Sequence, residues 1–119
     1  MKEYQEWIAK AEQDFDTAQF NLKGRKVEAG VFFLHQCAEK ALKALSIKKL
    51  KELLKTHDLL LLARKLNAPE NITNYCKKLS PAYQYTRYPE VASEEELDAK
   101  SEDFSNYTKE ILKWVKKNL

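Results

Sequence analysis

Residues 30–47 read GVFFLHQCAEKALKALSI, and the fold is decided here. At about 100° per residue, Phe33, Ala44, Cys37, Ala41, Leu34, Leu45, Ala38, Val31 and Leu42 fill roughly half of a helix circumference in one unbroken arc. A helix with so broad an apolar surface touches neighbours on several sides, which makes it the central helix of a bundle. The other half carries His35, Ser46, Glu39, Lys43, Gln36 and Lys40, with Phe32 in their midst. From that arc Phe32 cannot reach the core that Phe33 and Leu34 serve. A large aromatic among charges marks a face that meets a partner.

Upstream, residues 4–23 predict a first helix. Trp7, Ile8, Ala11, Phe15, Ala18 and Leu22 recur at three and four residues on one face. Asp14 falls beside Trp7 at the edge of that face. It is either an acid at the solvent boundary or one held near the core to pair with a base such as Arg87. Phe20 points the opposite way and is a second candidate contact residue. Lys23-Gly24-Arg25 stops the helix, with Gly24 suited to the left-handed position after a helix end.

The central helix is expected over residues 27–49. After it, KKLKELLKTHD is ambiguous between a frayed extension and a short loop. Thr56 or Asp58 supplies an N-cap for a short helix through LLLLARKL, which Asn67-Ala68-Pro69 ends. Ile72, Cys76 and Leu79 mark a fourth helix. Pro81 either kinks it or starts a further short piece behind a Ser80 cap. Pro89 closes that piece. Ser93 followed by Glu94, Glu95 and Glu96 is a cap with acids where the helix dipole favours them. Leu97, Phe104, Tyr107, Ile111, Trp114 and Val115 give the last helix its core face. The expected fold is all-α: an antiparallel up-down four-helix bundle with one or two additional short helices, in a single domain over residues 1–119.

The 119-residue length suits one core. Hydrophobic residues at 44% and charged residues at 33% place the chain among globular proteins rather than disordered ones. A net charge of +3 permits an anionic ligand without demanding nucleic acid. No run of about 18 apolar residues occurs, so no membrane span is expected. The opening MKEYQEWIAKAEQDF is charged and amphipathic rather than a signal peptide, which points to the cytoplasm. Cys37 and Cys76 then read as reduced core residues.

Two histidines are present, His35 and His57. His35 and Glu39 stand four apart on one helix face, a spacing that two metal ligands can share, but no third ligand at a recognisable spacing joins them. No metal and no cofactor is expected. Thr56-His57-Asp58 at a helix start reads as capping chemistry. No glycine-rich phosphate loop, GxSxG or HExxH occurs. The unusual constellation is Tyr83, Arg87 and Tyr88. An arginine walled by tyrosines holds a phosphate with its planar fork while a ring stacks a base. The alternative is that Arg87 pairs with a buried acid, Asp14 or Glu39, and the tyrosines are core.

AEKALKAL at 38–45, THDL at 56–59 and YQYTRYP at 83–89, in this order and spacing, resemble HEPN domains, and Trp7-x-x-x-Ala11-x-x-Asp14-Phe15 matches as well. These are small helical domains found beside minimal nucleotidyltransferases in prokaryotes. The resemblance covers nearly the whole chain. It implies a homodimer and a nucleotide- or substrate-binding role as one half of a toxin–antitoxin-like pair, with a separate nucleotidyltransferase as partner. Arg87, Tyr83, Tyr88, His35, Glu39 and Asp14 are the candidate nucleotide or phosphate contacts, and Phe32 and Gln36 the candidate dimer interface. Ribonuclease members of the wider family carry a histidine four to six residues after an arginine, and none follows Arg87 here. An endoribonuclease acting on RNA would need His35 or His57 to substitute from another helix. A purely structural dimerising adaptor is the third reading.

Overall fold

The computed structural model describes residues 3–88 and 90–119. They form six helices: α1 (Glu3–Lys23), α2 (Val27–Leu50), α3 (Leu59–Lys65), α4 (Glu70–Leu79), α5 (Ala82–Arg87) and α6 (Glu94–Asn118). No strand occurs among the described residues. The all-α expectation holds, and side-chain contacts give the directions. Lys48 near the end of α2 meets Tyr4 at the start of α1. Gln19 meets Ser105, and Glu12 meets Lys116, so α6 also runs against α1. Tyr75 of α4 stacks on Tyr107, and Tyr85 of α5 lies against Phe104. Thus α1, α2, α4 and α6 alternate up and down, with α3 and α5 as the short additional helices.

Local chemistry sets the boundaries. The Asp58 side chain accepts from Leu61 N and starts α3. Ser93 caps α6, as the Ser-Glu-Glu-Glu pattern predicts, and Glu96 reaches back to make the cap a reciprocal box. Pro81 separates α4 from α5 rather than kinking one helix. The KKLKELLKTHD stretch divides, its first three residues belonging to α2 and the rest forming an irregular strap over residues 51–58. Pro89, expected to close α5, lies outside the described residues.

The stop after α1 differs from its expectation. Arg25, not Gly24, takes the left-handed position, with φ 65°. Lys26 N bonds to Asn21 O at 2.8 Å and Arg25 N to Leu22 O at 3.1 Å, the paired bonds of a Schellman turn. The turn therefore closes one residue later than the glycine suggests. The glycine that matters is Gly30, where an added Cβ would lie 2.5 Å from Leu22 Cδ2. Its missing side chain lets α1 and α2 approach closely.

Of the apolar arc of α2, Phe33 is only partly buried, while Val31, Leu34, Cys37, Ala38, Ala41, Leu42, Ala44 and Leu45 are all inaccessible or nearly so, as expected. Most of them join Ala11 and Ala18 of α1, Leu59 and Leu62, Ile72, Cys76 and Leu79, and Leu97, Phe104, Ile111 and Val115 in one cluster. Both cysteines are free and buried. The polar arc is not solvated. His35, Glu39, Lys43 and Ser46 are buried too, because α1, the strap and α5 cover them. Phe32 does not stand free either. It is half-buried, edge-on to Phe33 at 5.2 Å. The contacts that Phe32 makes here, with Phe33 and Arg87, are within the chain.

Candidate functional site

The site forms where α5 and the strap meet the polar arc of α2. Ser80 and Pro81 turn the chain out of α4, and α5 brings Tyr83 and Arg87 onto one face, four residues apart. Arg87 lies over the Tyr83 ring, its Cζ 3.7 Å from the centroid, and over Phe32 at 5.1 Å. Its Nη1 donates to Tyr83 O at 3.2 Å. Among the described residues it makes no ion pair. Both acids expected as its partners are taken. Asp14 is buried on α1 and binds Lys40 at 2.6 Å, with Lys10 at 4.0 Å. So Asp14 is the core-side acid with a base, but the base is Lys40, and it does not join Arg87.

Glu39 holds the centre. Its Oε2 accepts from Lys43 at 2.9 Å, and its Oε1 lies 3.0 Å from His57 Nδ1 and 3.9 Å from His35 Nδ1. Burial alone would raise its pKa. The hydrogen bonds and charges of Lys43 and His57 outweigh that and hold it below the usual carboxylate value. Lys43 also lies 5.8 Å from the Trp7 ring centroid. His35 is buried, and neither ring nitrogen has a partner. Burial pulls its pKa from 6.5 down to about 4; Glu39 opposes this, while Arg87, His57 and Lys43 add to it. His35 is therefore a neutral ring at pH 7.

Tyr83 joins these groups. His35 lies 5.4 Å from its centroid and His57 5.0 Å. On the strap side a hollow of about 530 Å³ is lined by His57, Asp58, Lys77, Ser80, Tyr83 and Gln84, among others. The arrangement offers an aromatic plate and an imidazole lining a concave surface, and a guanidinium with free donors stacked on that plate. That combination suits a phosphate-bearing, ring-bearing ligand. Among the described residues no group of three or more His, Cys, Asp or Glu side chains is placed to hold a metal ion.

Of the residues singled out from sequence, Arg87, Tyr83, His35, Glu39 and Phe32 come together. Tyr88 follows Arg87 in the chain and is exposed, whereas Tyr85 turns away to Phe104. Gln36 is half-buried one turn from Phe32. Asp14 lies apart with Lys40. The sequence reading undervalued His57. Asp58 does cap α3 and Thr56 in turn accepts from Asp58 N, which hid the residue between them. An exposed histidine in a strap leading back past a helix acid was the signal.

The HEPN domain family model matches residues 4–118. The structure superposes on TT1696 from Thermus thermophilus with a TM-score of 0.90 at 25% identity over 100% of both chains. It also superposes on ST0689, an archaeal HEPN homologue, with a TM-score of 0.80 at 31% identity, covering 98% of this chain and 97% of that one. No curated protein matches. With the family match spanning nearly every residue and the same bundle in an HEPN homologue, the chain belongs to the HEPN domain family.

Proposed function

We propose that this chain is a nucleotide- or substrate-binding helical module. It works beside a separate minimal nucleotidyltransferase in a toxin–antitoxin-like pair, as a homodimer. The observation that carries the reading is Arg87: a guanidinium stacked on Tyr83 and Phe32, bonded once to a backbone carbonyl, and paired with no acid among the described residues. Ring stacking holds its plane and leaves most of its fork free for a phosphate. An adaptor in which Arg87 merely bridges to Asp14 or Glu39 has no support, since those acids bind Lys40, Lys43 and His57.

A specific observation favours a second reading, ribonuclease activity. His57 is oriented by a buried carboxylate and stands beside Tyr83, the layout of a general acid–base with a positioning acid. Phe20, 78% exposed, and the Phe32–Gln36 face are the surfaces on which a second copy would pack. The test is co-purification of the tagged chain from its native cells, together with incubation of the pure protein with total RNA. A nucleotidyltransferase in the eluate and intact RNA support the binding module. Cleavage lost in His57→Ala supports the second reading, and neither outcome defeats both.

A further inference from the structure

We propose that α5 is a cover that lifts from α2, and that His35 beneath it is a further ligand-contacting residue. The ring of a nucleotide enters between α5 and α2, against Phe32 and the free nitrogens of His35, while Arg87 keeps the phosphate. The proposal rests on the nucleotide-binding reading above and adds where the ring of that ligand goes.

The first observation is His35 itself. It is 1% exposed, and neither ring nitrogen has a partner. A neutral imidazole presents one donor and one acceptor, so two hydrogen-bonding groups are buried unused. An unpaired buried group disfavours the arrangement that buries it, about fivefold or more. Glu39 does not relieve it from 3.9 Å. On the α5 side His35 is covered by Tyr83, whose ring centroid lies 5.4 Å away.

The second observation is how α5 is held. Thr86 Oγ1 donates to Ala82 O at 2.8 Å and Arg87 Nη1 to Tyr83 O at 3.2 Å, both within α5. The amides of Tyr83, Gln84 and Tyr85 bond to the Ser80 and Pro81 carbonyls, in the turn just before it. Among the described residues no hydrogen bond or ion pair joins α5 to α1, α2, the strap or α6. Packing alone ties it down: Ala82 in the core, Tyr85 on Phe104, Tyr83 on the two histidines and Arg87 on Phe32. An element held this way opens more readily than the body it rests on.

Both sides of the opened cleft keep their groups. Phe32, His35 and Glu39 stand at i, i+3 and i+7 on one face of α2. Lys43 and His57, which hold Glu39, lie outside α5. Arg87 travels with the cover, because its hold on Tyr83 is internal to α5. Lifting frees the Phe32 ring for stacking and the His35 nitrogens for the polar edge of a base.

The test labels native wild type with diethyl pyrocarbonate at pH 7 and maps both histidines by peptide mass. His57, 58% exposed, reports direct access. His35 is expected to label more slowly, at a rate that stays flat to about 1 M urea, since a local opening exposes little surface. Saturating AMP is expected to slow it at least about fivefold. Calorimetric titration then compares wild type with His35→Phe. AMP is expected to bind the variant at least about tenfold more weakly, and inorganic phosphate, which needs only Arg87, to bind both alike. His35 labelled only as urea unfolds the protein, labelling that bound AMP leaves unchanged, AMP bound alike by both proteins, or a phosphate affinity that falls with that for AMP overturns the proposal and leaves the nucleotide-binding reading standing. AMP bound by neither protein overturns both.

Discussion

Replacing Lys43 with methionine removes the strongest partner of a buried acid. Lys43 is 8% exposed and Glu39 4%, and the ammonium lies 2.9 Å from Oε2. Stranding one member of such a pair costs about 3–5 kcal/mol. His57 still faces Oε1 at 3.0 Å, so the loss at pH 7 is expected near the lower end, about 3 kcal/mol. The pH dependence identifies the cause. In the wild type the folded pKa of Glu39 lies below the unfolded value of 4.5. Its contribution is therefore present above pH 4.5 and fades as pH falls through the folded pKa. Without Lys43, burial dominates and the folded pKa rises above the unfolded one. The variant's deficit should then be largest at pH 7 and shrink below about 1 kcal/mol at pH 4, where the carboxyl is largely protonated in the folded variant. His35 titrates in both proteins, and Lys43 is the last of the influences on it, so it adds little to the difference. Urea unfolding of both proteins at pH 7 and pH 4 measures this. A deficit under about 1 kcal/mol at pH 7, or one equally large at pH 4, would refute a buried carboxylate held by Lys43.

Because His35 titrates at about 4 when folded and 6.5 when unfolded, only the unfolded chain takes up this proton between those values. Wild-type stability should fall by about 3 kcal/mol from pH 6.5 to 4, and His35→Phe should flatten that slope in pH-dependent urea melts. The same substitution removes two orphaned ring nitrogens and should raise stability at pH 7 by about 1 kcal/mol; a loss would mean an unseen partner. Arg25→Gly relieves a positive φ and should gain about 1 kcal/mol in thermal unfolding. Gly30→Ala places a Cβ 2.5 Å from Leu22 Cδ2 and should lose about 1–3 kcal/mol. Sedimentation equilibrium of wild type and Phe32→Glu tests the proposed dimer: wild type should associate at tens of micromolar and the variant should not.

The bundle could be read from periodicity because burial of apolar faces is a local, repeating signal. The arc from Val31 to Leu45, the capping box at Ser93 and the break at Pro81 each act within a few residues. What periodicity could not tell was which polar residues are covered. His35, Glu39 and Lys43 look like a solvated face because their cover comes from Trp7, His57 and Tyr83, far away in sequence. The partner of Asp14 was equally hidden: Lys40 and Arg87 are both bases, and only packing chooses between them. Arg87 stood out in the sequence for its tyrosines, but its second aromatic wall is Phe32 of α2 rather than Tyr88. The closing turn after α1 misled because the Schellman bonds fix the left-handed residue by hydrogen-bond register, and that register fell on Arg25.

Whether Arg87 is kept for a ligand is decided by titrating AMP into wild type and Arg87→Met at low salt, with urea unfolding of both. Met preserves the packing against Tyr83 and Phe32 but carries no charge. The prediction is a loss of affinity of at least about tenfold with stability changed by less than about 1 kcal/mol, since a guanidinium with no paired acid strands nothing when removed. Unchanged AMP affinity, or a stability loss of about 3 kcal/mol, would contradict it and make Arg87 a structural brace.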